Sequence, residues 1–418
     1  MTRITAFLDG GRGSGPGVIA DPRASLRLVV ALAITQTAGY GVLYYAFSVF
    51  IGPMARDLDA GVAQLTGAIT LAVLISGLVA PLVGRWLDRH GGRGLMTAGS
   101  VLGAAAVLAW SQVQTVAQLY LVCAVLGVAS AMVLYEAAFA VIVAWFDAAR
   151  RARALLAVTV VAGFASSIFL PLTGFLVDRY GWRHALVVLA AGYAVTTIPL
   201  HGLAVRGRPV PVSARRGEIV GSAVRERPFW LLAAAFLTQT GAVAVMGVLL
   251  VTYLIALGHP PVFAAAVAGL LGVLSVTGRV LTTGLQARWP VSRITAVVFG
   301  LQGVAAVLLP LTGRGVPGAV GSVVLFGLGF GVGTIARPAL LTERYGTAAY
   351  GALSGALALP ITLAKAVAPL LAAGLAQVAG YPAVMGAVGA ACALGAVSLV
   401  AYDRHGRTGP APAGEHVR

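Results

Sequence analysis

Long apolar stretches recur along this chain at nearly even intervals, separated by short polar segments. Each stretch has the roughly 20 apolar residues that a transmembrane helix needs. A large soluble helical protein would instead show amphipathic stripes with charged outer faces, whereas these stretches are apolar all round. The pattern predicts membrane-spanning helices. We predict twelve spans, at residues 27–53, 63–84, 95–113, 118–143, 153–177, 184–205, 229–256, 262–285, 294–312, 319–342, 352–378 and 383–402.

The composition supports an all-α membrane protein. Hydrophobic residues make up 59% of the chain, charged residues only 10%, and the mean hydropathy is +0.92. A soluble globular domain has about 25% charged residues. The composition therefore excludes an ordinary soluble enzyme or binding domain.

The strongly basic balance could suggest a nucleic-acid partner, since the formal net charge is +16 and the pI is about 10.8. However, the arginines cluster before the first span and in every second loop. The intervening loops contain only Arg56, Arg179, Arg183 and Arg314. This asymmetry follows the positive-inside rule and predicts that both termini are cytoplasmic. We therefore expect a multi-pass protein of a bacterial-type inner membrane, with the lipid bilayer rather than nucleic acid as its partner.

Residues that could support catalysis or bind a cofactor are poorly placed for either task. The two cysteines, Cys123 and Cys392, lie inside predicted helices with no metal-ligand spacing. The six histidines lie near span ends, in loops or in the C-terminal tail. A glycine run at 327–333 imitates a phosphate-binding loop, but it lacks the following Lys-Ser/Thr, and close helix packing explains it better. We therefore expect neither an enzyme nor a cofactor.

The longest polar interruption, 206–228, divides the chain into two halves of six spans. We predict an N-terminal tail (1–26), a first bundle (27–205), a cytoplasmic linker (206–228), a second bundle (229–402) and a C-terminal tail (403–418). Weak internal repetition supports this division, because a Gly-containing loop after the second span and a proline in the fifth recur roughly 200 positions later.

The loop after the second span carries a recognisable motif. Its sequence, Gly84-Arg-Trp-Leu-Asp88-Arg89-His-Gly91-Gly-Arg93, resembles the signature G-x-L-x-D-R-x-G-R-R of the major facilitator superfamily. The resemblance covers all twelve spans and implies two pseudo-symmetric six-helix bundles. It also implies that Gly84, Asp88, Arg89, Gly91 and Arg93 form charged and turn contacts that hold a cytoplasmic gate.

Within that superfamily the chain looks most like the branch of monocarboxylate porters and oxalate/formate exchangers. The supporting segments are Trp145-Phe146, Arg150-Arg151-Ala152-Arg153-Ala154, Gly181-Trp182-Arg183, Thr277-Gly278-Arg279 and Tyr350-Gly351. The chain departs from the superfamily's patterns at two places. Ala287 replaces the acid in the second-half loop, and only Pro171 and Gly174 remain of the fifth-span antiporter signature.

Three charged residues inside predicted spans stand out for chemistry: Glu136, Arg279 and Lys365, the only lysine in the chain. A charge in hydrocarbon costs at least about 2.5–3.5 kcal/mol, so each should face a watery cavity or a partner. Arg279 matches the arginine that binds substrate carboxylate in the resembled branch, and a guanidinium can hold a carboxylate by two parallel hydrogen bonds. The alternative is an arginine that snorkels or bonds to helix ends.

Lys365 and Glu136 admit two interpretations each. Lys365 resembles the eleventh-span lysine of the oxalate exchanger and could neutralise an anion, or it could pair with Glu136. Glu136 could carry a coupling proton, or serve as counter-ion to Arg279 or Lys365. The net interior charge of +1 favours an anionic substrate.

Polar and aromatic residues recur on one face of the first span, at Gln36, Tyr40 and Tyr44. In the resembled family this span lines the cavity, so we expect these residues to contact substrate. The alternative for Tyr44 is packing against neighbouring helices.

These observations predict a secondary active transporter that moves a small organic anion, a mono- or dicarboxylate, by alternating access. No nucleotide-binding motif is present, so proton coupling or exchange would supply the energy. We expect a monomer. The alternative function is export of drugs or toxic anions on the same fold.

Overall fold

The computed structural model describes residues 22–205 and 216–407, which form helices joined by short turns and contain no strand. The predicted N-terminal tail up to residue 21, the linker residues 206–215 and the predicted C-terminal tail from residue 408 lie outside the described residues. The rest of the predicted linker contains a short helix, Arg216–Arg225, which the sequence interpretation did not include.

Fifteen helices and one π-helical turn make up the described ranges. In chain order they are α1 (Pro22–Tyr40), the π-turn (Gly41–Tyr45), α2 (Ala46–Asp57), α3 (Val62–His90), α4 (Gly92–Trp110), α5 (Val116–Val133), α6 (Tyr135–Trp145), α7 (Ala148–Ala162), α8 (Ala165–Ala204), α9 (Arg216–Arg225), α10 (Arg227–Ala256), α11 (Pro261–Leu285), α12 (Val291–Thr312), α13 (Val316–Phe330), α14 (Val332–Tyr345) and α15 (Tyr350–Arg407).

Ten helical stretches of the described residues are long and apolar enough to cross a membrane. Two of them, Arg150–Ala204 and Tyr350–His405, have 55 and 56 residues, far more than one crossing requires. Each is interrupted at a glycine, Gly181 with φ 74° and Gly380 with φ 78°. Side chains other than hydrogen rarely allow this left-handed backbone, so glycine is needed at both points. Since each long stretch therefore holds two segments, the twelve predicted membrane-length segments are present and the all-α membrane fold is confirmed.

The chain separates into two compact units. One consists of Met1–Gly217 with Tyr345–Leu363, and the other of Glu218–Arg344 with Ala364–Arg418, each counted over its described residues. The first part of α15 therefore packs with the first unit and its remainder with the second. The predicted bundle boundaries at 205 and 229 fall near this division and stay a prediction.

Helix starts in the first unit use side-chain caps where the sequence offers them. Thr115 accepts a hydrogen bond from the backbone N–H of Gln118, and Asp147 accepts one from Arg150. Such caps satisfy N–H groups that have no partner within the helix. In the second unit α10, α11 and α13 have proline in their first turn, where its missing N–H costs no helical bond.

In the interior of the first unit, Trp110 at the end of α4 packs against two phenylalanine rings of α2. The Trp110 indole is almost completely buried and stacks on Phe47, with ring centroids 5.2 Å apart, and edge-on against Phe50 at 5.3 Å. Apolar packing of this kind supplies van der Waals contact between helices where lipid gives no hydrophobic drive.

Arg183, just after the Gly181 interruption, ties three chain segments of the first unit together. Its guanidinium donates to the carboxylate of Asp57 at 2.7 Å and to the carbonyl oxygens of Ser111 and Val113 at 3.1 and 2.7 Å. It also lies over the Trp182 ring, 4.3 Å from the centroid. One side chain thus satisfies backbone acceptors at the end of α4 and an acid at the end of α2.

We expect Arg183→Ala to destabilise the protein by about 1–2 kcal/mol, because two carbonyl acceptors and one partly exposed ion pair lose their donor. The apparent melting temperature of the purified protein should fall by about 2–4 °C. Arg179→Ala, which removes an exposed arginine four positions earlier, serves as the matched control. Equal melting temperatures for the two variants would contradict a structural role for Arg183.

Candidate functional site

The loop motif at the end of α3 contacts the start of α15, and both belong to the first unit. Both carboxylate oxygens of Asp88 accept backbone hydrogen bonds, from the N–H groups of Gly351 and Ala352, each at 2.9 Å. These donors belong to the first turn of α15, where N–H groups lack helical partners and the helix dipole attracts negative charge. Asp88 therefore caps a helix more than 250 positions away in sequence, which explains why the motif needs an acid there.

Glycines allow α3 and the first part of α15 to approach closely enough for this cap. A Cβ atom on Gly84 would clash with the carbonyl group of Gly351. One on Gly355 would lie only 2.5 Å from the carbonyl oxygen of Ala80. Close backbone approach through small residues is a common way of packing helices in membranes.

The remaining motif residues divide into a turn and a charged surface. Gly91 has φ 74° and ends α3, so it is the glycine that makes the tight turn, whereas Gly84 lies inside α3 and serves packing. The side chains of Arg89 and Arg93 are exposed on either side of this turn.

A break in the fourth predicted span places Glu136 at the start of a new helix. Between α5 and α6, Leu134 leaves the helical conformation with φ −81° and ψ −165°. Glu136 follows in the first turn of α6, and one of its carboxylate oxygens accepts a hydrogen bond from the hydroxyl of Ser354 at 2.7 Å. Ser354 is buried and lies in the same segment of α15 that Asp88 caps. This partner could not be predicted, because nothing in the sequence marks Ser354 as close to the fourth span.

Gln36 lies at the same break but is completely buried. Its amide nitrogen donates to the carbonyl oxygen of Val133 at 2.6 Å, the residue just before the break. The amide thus supplies a donor to a carbonyl at the end of α5. A role of Gln36 in binding substrate stays a prediction.

The two predicted tyrosines belong to a larger aromatic group beside this break, which we call the tyrosine cluster: Tyr40, Tyr44, Tyr45 and Tyr135. The ring centroid of Tyr40 lies 4.6 Å from that of Tyr135 and 6.4 Å from those of Tyr44 and Tyr45. All four side chains are partly exposed. The sequence interpretation missed Tyr45 and Tyr135.

In the second unit Arg279 is held at a second helix break. Its side chain is 8% exposed, and Nε donates to the carbonyl oxygen of Gly331 at 3.2 Å. Gly331 separates α13 from α14, and its carbonyl also accepts a hydrogen bond from the Thr334 hydroxyl at 2.7 Å. A buried guanidinium is thereby fixed at a point where the helical ladder is interrupted.

The glycine run of this helix serves packing, because each glycine receives a side chain from a neighbouring helix. A Cβ atom would meet Leu274 at Gly327, Gln302 at Gly329, Ser275 and Arg279 at Gly331, and Gln239 at Gly333. Without the glycines the polar side chains could not reach the α13–α14 backbone.

Gln239 and Gln302 form a buried polar pair that the sequence interpretation missed. The amide nitrogen of Gln302 donates to the carbonyl oxygen of Phe326 at 3.1 Å, and the amide nitrogen of Gln239 lies 3.5 Å from the Gln302 amide oxygen. A sequence signal for Gln239 exists: Thr238-Gln239-Thr240 repeats Thr35-Gln36-Thr37 in the first helix of the other half. Gln36 and Gln239 thus both lie against a broken helix in their own unit.

Lys365 lies in the part of α15 that belongs to the second unit, and its side chain is exposed on the protein surface. Exposure of an ammonium group within a membrane-length segment requires access to water or a polar partner. Its role in neutralising an anion stays a prediction.

Comparison with known proteins gives concordant results. The family profile described as Major Facilitator Superfamily matches residues 32–359. Monocarboxylate transporter 13 of Bos taurus is 25% identical over 330 residues, covering 77% of this chain and 75% of that protein. The E. coli fucose:proton symporter structure covers 91% of this chain and 99% of its own at a TM-score of 0.73 and 14% identity. A bacterial homologue of the iron transporter ferroportin gives a TM-score of 0.73 at 16% identity, with coverages of 91% and 99%.

Proposed function

We propose that this chain, which belongs to the major facilitator superfamily, moves a small organic anion carrying a carboxylate group across the membrane by alternating access. Membership in that family makes it a multi-pass membrane transporter and not an enzyme, as the sequence predicts. The substrate class, the coupling and the residue roles below are our proposal.

The observation that carries the proposal is the buried guanidinium of Arg279 at the α13–α14 break. Inserting an arginine into a membrane costs so much free energy that its presence inside a span indicates a function. A guanidinium has five N–H donors in a fixed fork, and the bond from Nε to Gly331 orients that fork. Arg279 is therefore suited to bind a carboxylate with defined geometry.

The similarity to Monocarboxylate transporter 13 supports a monocarboxylate as the substrate. The structural likeness supports no substrate by itself, since the matched structures include a fucose:proton symporter and a homologue of an iron transporter. The choice of substrate must lie in side chains such as Arg279 and Lys365 rather than in the fold.

We assign the Asp88 contact to a gate and Glu136 to coupling. Asp88 and Glu136 both hold the first part of α15, one by backbone N–H groups and the other through Ser354. Protonation of Glu136 would neutralise the carboxylate that accepts the Ser354 hydrogen bond. The preferred position of the first part of α15 would then change. This arrangement links a proton-binding group to a movable helix segment, which a symporter or a proton-driven exchanger needs.

The proposal predicts saturable uptake of labelled mono- or dicarboxylates by proteoliposomes that contain the purified protein, with rates that depend on an imposed pH gradient. Empty liposomes provide the baseline, and unlabelled carboxylates should compete, whereas sugars and cationic dyes should not. A protein that carries a sugar or a dye but no carboxylate would refute the proposal, and transport of dyes would favour the export of drugs instead.

A further inference from the structure

A side-chain amide of α1 bonds to the backbone at the α5–α6 break of the first unit. Val133 is the last residue of α5, so its carbonyl oxygen has no N–H partner within that helix. The amide nitrogen of Gln36, 97 positions away in sequence, supplies a donor at 2.6 Å. The following helix, α6, then begins without a side-chain cap at its N-terminus. One side chain of α1 thus bonds to the junction of two other helices.

The face of α1 that carries this amide follows the break closely. At Gly39, three positions further on, a Cβ atom would lie 2.9 Å from the side chain of Leu134. The ring centroid of Tyr40 lies 4.6 Å from that of Tyr135. Positions i, i+3 and i+4 share one helix face, so three contacts in a row join α1 to the break. The π-turn begins directly after them, and π-turns are frequent at functional sites.

The Gln36 amide uses only part of its bonding capacity. Its side chain is completely buried, and none of the described residues donates a hydrogen bond to its Oε1. A buried acceptor that lacks a donor costs free energy. Gln36 satisfies one such acceptor, the Val133 carbonyl, and adds another, so it contributes little net stability to this conformation. The unused oxygen allows the amide to form a different bond when α5 and α6 change their relative position.

The comparable amide of the second unit is tied at both ends. Gln302 donates to the Phe326 carbonyl oxygen at 3.1 Å, and its own amide oxygen lies 3.5 Å from the amide nitrogen of Gln239. Two further side chains donate to the Gly331 carbonyl oxygen at the break of that unit. Several bonds therefore hold the α13–α14 break, whereas the bond from Gln36 can be exchanged at lower cost.

We infer that Gln36 is a positioning residue of the transport cycle, which sets the conformation of the α5–α6 break and releases it as the protein changes state. Because Gln36 acts through the helix backbone, this role goes beyond the proposed function and does not depend on which solute is carried. The alternative role, direct contact with substrate, predicts different kinetics. Loss of a substrate contact raises the half-saturating concentration, whereas loss of positioning lowers the maximal rate.

Amide hydrogen exchange of the purified protein tests the positioning role without any solute. Gln36→Met keeps the length of the side chain and removes its donor. Exchange in the peptide that contains the first turn of α6 should become about tenfold faster, the effect of losing one buried hydrogen bond on a local opening equilibrium. Thr35→Val is the matched control, because the buried Thr35 hydroxyl bonds to the Leu32 carbonyl within α1. It should leave exchange in α6 unchanged.

The unaltered protein provides a second measurement, which requires no variant to fold. After correction for intrinsic exchange rates, amides in the first turn of α6 should exchange faster than those in the first turn of α14, because more bonds hold the second break. Equal protection of the two segments, or slower exchange in α6, would overturn the release of the first break.

Uptake kinetics separate positioning from solute binding. In proteoliposomes supplied with labelled carboxylate, Gln36→Met should lower the maximal rate about tenfold and change the half-saturating concentration less than about twofold. An unchanged maximal rate, with or without a raised half-saturating concentration, would overturn the inference. So would unchanged α6 exchange in Gln36→Met, or an equal change in Thr35→Val. Absence of carboxylate uptake by the unaltered protein would overturn the carrier proposal alone, because the exchange measurements would still decide the role of Gln36.

Discussion

Replacing Arg279 with lysine should abolish saturable carboxylate uptake, although the positive charge is kept. Lysine is a compact point charge without the planar fork that pairs with both carboxylate oxygens. It also lacks the Nε that bonds to the Gly331 carbonyl, so its position at the helix break would be lost. Removing one member of a buried, hydrogen-bonded charge pair costs about 2–5 kcal/mol, which corresponds to at least a thirtyfold fall in transport efficiency at the low end. The measurement is the initial uptake rate as a function of substrate concentration.

Arg279→Ala should fail in the same assay, and Arg288→Lys provides the control. Arg288 follows α11 and its side chain is exposed, so this variant makes the same chemical change outside the proposed site. Purified yield and melting temperature establish that each variant is folded. Undiminished uptake by Arg279→Lys would exclude a bidentate carboxylate contact, and the bond to Gly331 would then be the structural reason for this arginine.

The helical architecture could be predicted from sequence because membrane insertion imposes a strong local rule. Every span must be long, apolar and internally hydrogen-bonded, and each of these demands is visible within a window of some 20 residues. The fifth and sixth spans illustrate this rule, because Gly181 lies between two separate apolar runs in the sequence. Its positive φ confirms that the helical path is interrupted there.

The charged members of the candidate site were also visible in sequence, since their cost in hydrocarbon singles them out. Their partners were not. Ser354 is an ordinary serine in a small-residue helix, and only the fold brings it within 2.7 Å of Glu136. The sequence predicts that Asp88 makes charged contacts between helix ends. Only the structure identifies its donors, which are the backbone N–H groups of Gly351 and Ala352.

Tyr45 was missed for a different physical reason. The search for a common face used the α-helical period, and that period places Tyr45 away from Tyr40. The π-turn changes the period over five residues, and no residue type reliably signals such a turn. Gln239, in contrast, could have been found by comparing the first helices of the two halves, which share Thr-Gln-Thr.

Adding a single methyl group at Gly355 should reduce carboxylate uptake at least about tenfold, the effect of a change in barrier of 1.4 kcal/mol. The Cβ atom of alanine would lie 2.5 Å from the Ala80 carbonyl oxygen and 2.7 Å from the Pro81 Cα. Backbone atoms cannot rotate away as a flexible side chain can, so the first part of α15 would have to move off α3. That movement would lengthen the bonds from Gly351 and Ala352 to Asp88, and we propose that these bonds hold the gate.

Gly374→Ala is the matched control, because it makes the same change in the same helix at a position where a Cβ atom has open space within 4 Å. Alanine favours helix over glycine by about 1 kcal/mol, so this variant should melt no lower than the unaltered protein and should transport normally. Equal uptake by Gly355→Ala and Gly374→Ala would contradict a functional role for the close α3–α15 contact.

A double variant distinguishes a gate from a mere packing defect. If Gly355→Ala acts by separating α15 from Asp88, then Asp88→Asn removes the same interaction, and the two changes combined should reduce uptake little more than either one alone. Independent packing defects would instead add their effects. The contact is built from hydrogen bonds and glycine packing rather than from an apolar core, so it can be broken and re-formed at modest cost in every transport cycle. Non-additivity in the uptake rate is the result that a working gate requires.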